Sequence, residues 1–225
     1  MYVLFAGQLR TNLMKQKKSD IAPELLINGP RRADCTIVLA HGAGMAMETD
    51  FMDAFAEGLA DCGSRVVRFE FPYMAERRKT GKRRPPDREP ILRDTWLRMI
   101  DSLKVDKLVI GGKSMGGRIA SLIADEAEVA GLVCLGYPFH PTGKPDKLRT
   151  EHLQSIETPT LIVQGERDPF GNIDEATNYT LSPNIQIHWL ADGDHSFKPR
   201  KASGRSLDEN LVEAIGAVAD FTRSL

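Results

Sequence analysis

The stretch Gly112-Lys113-Ser114-Met115-Gly116 lies between the apolar run Lys107-Leu-Val-Ile110 and the helix-like Gly117-Arg-Ile-Ala-Ser-Leu-Ile-Ala124. A serine held at a strand-to-helix turn is the context of a nucleophile elbow. Such a turn strains the serine backbone and exposes its hydroxyl, and side chains on either side of it would strike the neighbouring strand and helix. Gly112 and Gly116 answer that requirement. The helix that follows directs unpaired amides and its positive dipole end towards the serine, which favours negative charge developing there. Gly112-Lys113-Ser114 also resembles the end of a phosphate-binding loop, but that pattern needs a glycine where this chain has Lys107, so nucleotide binding is set aside.

Further apolar, β-branched runs at 36–40, 65–69, 131–135, 160–163 and 185–190 read as buried parallel strands. Helices alternate with them. The segment 47–62 places Phe51, Ala54, Phe55 and Leu59 on one stripe, and 90–103 does the same with Ile91, Leu92, Trp96, Leu97, Ile100 and Leu103. A last helix is expected over about 207–222, and Leu25-Leu-Ile27 as an antiparallel edge strand. Alternation with short connections implies an α/β fold, a doubly wound and mainly parallel sheet whose ligand crevice lies beyond the carboxyl ends of its strands. The interval 136–159, where such enzymes can insert a lid, has room for about one short helix. The expected lid is therefore minimal and the pocket shallow or capped by loops, which argues against large apolar ligands.

At 225 residues with 41% hydrophobic content, the chain is long enough for one substantial core. A single domain is expected over 19–225, preceded by a loosely held extension at 1–18 that lacks an amphipathic period, with Met14 as a candidate start. The apolar Met1-Tyr-Val-Leu-Phe-Ala6 precedes the basic Lys15, Lys17 and Lys18 instead of following them, which is not the order of a signal peptide. No segment is long and apolar enough to span a bilayer. The net charge of −1 predicts no general attraction to nucleic acid or membrane. Cys35, Cys62 and Cys134 fit a reducing cytoplasm better than a disulfide or zinc site. Neither a metal nor a cofactor is expected.

A serine hydroxyl needs a base. His195, in Asp192-Gly-Asp-His-Ser-Phe197 after the last strand, is the favoured one of five histidines. His188 alternates within a strand, His140 and His152 lie in the short lid interval, and His41 is read as an anchor of its own loop. The orienting acid should come from the loop after the preceding strand, where Pro169 biases Asp168 away from helical angles. Glu166, Asp192 and Asp194 are the alternatives, each of which could equally be a turn former. His41-Gly-Ala-Gly44, directly after the first core strand, offers unobstructed amides, so the oxyanion donors are assigned to Ala43 and Met115. Between Arg77 and Arg88 the chain carries seven positive residues against Asp87 alone. Read as a loop on the crevice side, this run makes Arg77, Arg78, Arg83 and Arg84 candidates for binding an anionic substrate, with a solvated surface loop as the alternative. It has no interleaved aromatics for nucleic-acid stacking.

Together, His41-Gly-Ala-Gly44, Arg68-Phe-Glu-Phe-Pro-Tyr-Met74, Gly111-Gly-Lys-Ser-Met-Gly-Gly117, Gly165-Glu-Arg-Asp168 and Asp194-His-Ser-Phe197 resemble one α/β-hydrolase family. It is the dienelactone-hydrolase-like group that includes bacterial proteins and the animal testis-expressed and NSL-complex subunit relatives. The resemblance runs from about Cys35 to the end. It implies the α/β-hydrolase fold, with Ser114 as nucleophile, Asp168 as acid and His195 as base. The expected activity is cleavage of an ester or thioester of a small, anionic acyl compound through an acyl-enzyme. Some relatives serve in protein assemblies, so the competing expectation is a binding or scaffold module with a protein partner.

Overall fold

In the computed structural model, which describes residues 24–225, strands and helices alternate along the chain. They run β1 (Leu25–Asn28), β2 (Thr36–Ala40), α1 (Asp50–Asp61), β3 (Arg65–Phe69), α2 (Pro72–Thr80), α3 (Glu89–Ser102), β4 (Leu108–Lys113) and α4 (Met115–Ser121). After these come β5 (Gly131–Leu135), β6 (Thr160–Gly165), the single turn α5 (Ile173–Ala176), β7 (Ile185–Leu190) and α6 (Leu207–Ser224). The extension expected at 1–18 lies outside the described residues.

The seven strands form one sheet in the order β1-β3-β2-β4-β5-β6-β7. Every pairing is parallel except that of β1, which runs antiparallel to β3 at the edge. The central strands are apolar on both faces because both faces are covered. Val38, Ala40, Ile110, Leu132, Cys134 and Ile162 meet Trp96 of α3 and Ile119 of α4 on one face. Their alternating neighbours Ile37, Leu39, Val109, Val133, Leu161 and Val163 meet Phe55 of α1 and Val218 of α6 on the other. The chain winds from β2 outward to β3, then returns to place β4 on the other side of β2. The loops leaving the carboxyl ends of β2 and β4 therefore diverge at the switch point of the sheet, where such folds hold their ligands.

Most expected elements appear within two or three residues of their expected ends. β4 continues through Gly111, Gly112 and Lys113, so the turn is delayed to Ser114 itself. In α3 the buried stripe is Leu92, Trp96 and Met99, while Ile91, counted with it from the sequence, is 46% exposed. Helix α4 stops at Ser121, short of the expected 124. There the Ser121 hydroxyl donates to the Arg118 carbonyl (2.7 Å) and contacts Nε2 of His152 (2.8 Å). The clearest correction concerns the basic run, which is not all loop. Arg77, Arg78 and Lys79 form the last turn of α2, a helix opened by Pro72 and closed by Gly81 at φ 71°. Proline at a helix start, cations against the carboxyl end of its dipole, and a left-handed glycine just beyond explain why these residues fold as they do. The interval 136–159 contains a single 3₁₀ turn at Glu151–Gln154, so the lid is minimal.

Candidate active site

Ser114 sits between β4 and α4 at φ 52°, ψ −114°, a strained backbone for a residue with a side chain. The turn is tight because β4 packs directly against β2. A Cβ on Gly112 would stand 2.1 Å from the Ala40 carbonyl oxygen, and one on Gly116 would stand 2.4 Å from the same atom. Only glycine fits at either place. The Ser114 amide is spent on the Leu135 carbonyl at 3.0 Å, which fixes the turn against β5.

Two loops from the neighbouring carboxyl ends bring an imidazole and a carboxylate to the serine. His195, on the loop after β7, places Nε2 2.9 Å from Ser114 Oγ and Nδ1 2.8 Å from Oδ2 of Asp168. Asp168 is fully buried and ends the tight loop after β6. Its Oδ2 also accepts from Nε2 of Gln164 (3.0 Å), and its Oδ1 accepts from the Phe170 amide (2.9 Å). With the carboxylate aimed at Nδ1, that nitrogen carries the proton and donates, leaving Nε2 to accept from the serine hydroxyl. The Phe170 ring packs on the imidazole at 4.4 Å between centroids. The rival acids are occupied elsewhere. Glu166 accepts from the Asp192 amide, Asp192 is clamped by Arg167 and Arg200, and Asp194 caps the amides of Ser196 and Lys198.

Gln164 is a site residue that sequence reasoning missed. Buried at the end of β6, it donates to the carbonyls of Tyr137 and Gly171 as well as to Asp168, and accepts from the Tyr137 amide at 2.7 Å. A polar side chain closing the apolar run Thr160-Leu-Ile-Val163 was the available signal, since a buried amide must find partners.

The loop after β2 is held by its own histidine and by a tyrosine. His41 is buried and its Nδ1 lies 2.8 Å from the Gly42 carbonyl, while Nε2 accepts from the Phe71 amide at 3.1 Å. Burial lowers its pKa, which keeps the ring neutral and able to accept. The Tyr73 hydroxyl, another residue missed from sequence, donates to the Ala43 carbonyl at 2.8 Å. Ala43 and Met115 both line a cavity of about 320 Å³ beside Ser114. Met115 opens α4, so its amide has no acceptor within the helix.

Lys113, the last residue of β4 before Ser114, is almost wholly buried. Its Nζ donates to the His195 carbonyl and lies 5.3 Å and 5.6 Å from the ring centroids of Phe51 and Phe197. Burial pushes its pKa down to about 8, against the opposing pull of Asp168 and Asp194. Gly136, at φ 69°, leaves the space, since a Cβ there would stand 2.6 Å from Nζ.

None of Arg77, Arg78, Arg83 and Arg84, expected from the sequence to bind an anionic substrate, is among the residues that line this cavity. Arg78 is held by Glu70 at 2.9 and 3.0 Å and by Glu48 at 2.6 Å, and Arg84 lies 3.6 Å from Asp87 and 3.8 Å from Glu76. The cations that do line it are Arg118 and Arg149. A wider groove of about 530 Å³ between α6 and the β7 edge contains His188, paired with Glu213 at 3.1 Å, and no serine–histidine pair.

The alpha/beta hydrolase domain family matches residues 33–223. Among solved structures, a dienelactone hydrolase from Anabaena variabilis superposes with a TM-score of 0.69 at 18% identity, covering 92% of this chain and 93% of that one. A Xanthomonas campestris protein described as an α/β serine hydrolase without lid superposes with a TM-score of 0.68 at 18% identity, covering 89% and 88%. ABHD14B of Rattus norvegicus, described as a candidate protein-lysine deacylase, is 30% identical over 139 residues. That match takes in 61% of this chain and 63% of the rat protein, less than two thirds of its length. Matched along nearly its whole described length, and folded as its structural neighbours are, the chain belongs to the α/β-hydrolase domain family.

Proposed function

We propose that the chain is a serine hydrolase that cleaves an ester or thioester of a small acyl group through an acyl-enzyme. The observation that carries this reading is the continuous relay from Asp168 Oδ2 to His195 (2.8 Å) and from His195 to Ser114 Oγ (2.9 Å). In the proposed reaction His195 Nε2 takes the Ser114 proton as Oγ bonds to the substrate carbonyl carbon. The oxyanion forms towards the amides of Ala43 and Met115, and Asp168 stabilises the imidazolium. His195 then returns the proton to the departing alcohol or thiol as that bond breaks, leaving the acyl group on Ser114. Water, deprotonated by the same nitrogen, attacks the acyl-enzyme; collapse of the second intermediate releases the acid and restores the serine. Esters and thioesters come first because an amide has a poorer leaving group, although acyl-lysine, the substrate class in the name of the rat relative, would follow the same steps. The small cavity and minimal lid favour short acyl chains. The free thiols of Cys35, Cys62 and Cys134 fit a reducing compartment such as the cytoplasm.

The test is turnover of p-nitrophenyl acetate by the native chain and by Ser114→Ala. A rapid first release of one p-nitrophenol per chain, lost in the variant, is expected. Equal rates for the two proteins, or no turnover by either, would leave the fold as a binding or scaffold module.

A further inference from the structure

We infer that Arg118 and Arg149 form a carboxylate-binding subsite in the Ser114 cavity, so that the substrate is the half-ester or half-thioester of a short dicarboxylic acid and the acyl group transferred to Ser114 keeps a free terminal carboxylate. The inference rests on the serine-hydrolase reading and specifies its substrate. Both side chains line the cavity that contains Ser114, Met115 and Ala43. Arg118 lies one helical turn beyond the nucleophile, its amide bonded to the Ser114 carbonyl at 3.0 Å, so its side chain emerges from the same end of α4.

Arg149 is placed and yet unspent. Its main chain is fastened on both sides, the amide to the Phe139 carbonyl at 2.7 Å and the carbonyl to the Tyr137 hydroxyl at 3.0 Å. This fixes the backbone of a half-buried residue that lines the cavity. Among the described residues, no carboxylate pairs with its guanidinium. What acts on its charge is partial burial and the positive charge of Arg118, both lowering its pKa, against the Tyr137 hydroxyl. Both cations line the one cavity, and their repulsion would be relieved by a bound anion.

The acidic residues on the same wall do not fill this role. Asp87 accepts from the Tyr73 amide at 2.8 Å and faces Arg84. Glu89 reaches Arg118 only through one oxygen, at 3.3 and 3.4 Å. Neither faces Arg149 within ion-pair reach. A planar carboxylate can accept two parallel bonds from one guanidinium fork and a third from another, which a neutral head cannot do, and at the end of a short acyl chain it suits a cavity of about 320 Å³.

The experiment compares two thioesters of N-acetylcysteamine equal in chain length, glutaryl and pentanoyl, which differ in a terminal carboxylate against a methyl group, by following thiol release. The native chain should favour glutaryl in kcat/KM by roughly 10- to 100-fold, with the preference shrinking as salt rises. Arg149→Met should cost glutaryl far more than pentanoyl in kcat/KM, erasing most of that preference through KM, and Arg149→Lys should recover part of it. Calorimetric titration with free glutarate reads the subsite without turnover, binding to the native chain and not to Arg149→Met, with thermal melts confirming that the variant folds. Equal use of the two thioesters, or equal losses on both in Arg149→Met, would overturn the subsite while leaving the hydrolase reading standing. Glutarate binding that depends on Arg149, without hydrolysis of either thioester, would keep the subsite and remove the hydrolase reading. Neither binding nor preference would end the inference.

Discussion

Replacing Lys113 by methionine isolates the cost of an ammonium buried beneath the site. A lysine in the unfolded chain titrates near 10.5, whereas in the folded protein burial pushes Lys113 down to about 8. Below pH 8 both states hold the proton, and the native state bears the full cost of a desolvated charge. Between pH 8 and 10.5 the unfolded chain keeps its proton while the folded chain loses it, so stability rises with pH. At about 1.4 kcal/mol per pH unit, this interval is worth about 3 kcal/mol. Urea unfolding of both proteins at a series of pH values from 7 to 10.5 provides the assay, with all other groups common to the pair. The native chain should gain about 3 kcal/mol on Lys113→Met across the interval. A stability difference that stays constant with pH would refute the reasoning.

Gly116→Ala should unfold the chain or cost several kcal/mol, because its Cβ would press on the Ala40 carbonyl oxygen at 2.4 Å; a urea midpoint unchanged from native would contradict the tight-elbow account. Tyr73→Phe frees the Ala43 carbonyl and should lower kcat by roughly tenfold with KM little changed, read from p-nitrophenyl ester turnover. Asp168→Asn, which removes the carboxylate that sets the His195 tautomer and stabilises the imidazolium, should reduce kcat by about 10⁴-fold without loss of fold, checked by the same turnover with circular dichroism. His152, held down to about 4 by burial and by Arg118, stays neutral in the folded chain while the unfolded chain protonates near 6.5. Stability should therefore fall as pH drops from 6.5 to 4, and a His152→Gln variant that still folds should lose that part of the acid slope in urea titrations.

The sheet was legible because its strands are covered on both faces, so that Ile37-Val-Leu-Ala40 or Leu132-Val-Cys-Leu135 appear as unbroken apolar runs. The tight strand-to-helix turn at Ser114 was legible too, since two glycines around one serine leave few alternatives once Ala40 lies 2.1 to 2.4 Å from their Cβ positions. Helix α2 was hidden by its charge. Its proline start and Gly81 stop were present in the sequence, but Arg77, Arg78 and Lys79 drew attention to a ligand instead of to the carboxyl end of a helix dipole. Arg149 could not have been found from periodicity, because it lies in the irregular stretch between β5 and the 3₁₀ turn and is held at the cavity by main-chain bonds to Phe139 and Tyr137. Lys113 shows the same limit in another form. A lysine is ordinarily read as exposed, and only the packing of Phe51, Phe197 and Gly136 around it accounts for its burial.

Covalent labelling bears most directly on the claim that Ser114 is a nucleophile activated by His195. The native chain treated with a fluorophosphonate should gain one phosphonyl group, and peptide mass mapping should locate it on Ser114. The adduct should be absent from Ser114→Ala and form at least 10³-fold more slowly in His195→Ala. An unmodified native chain, or a label carried on any other residue, would contradict the account.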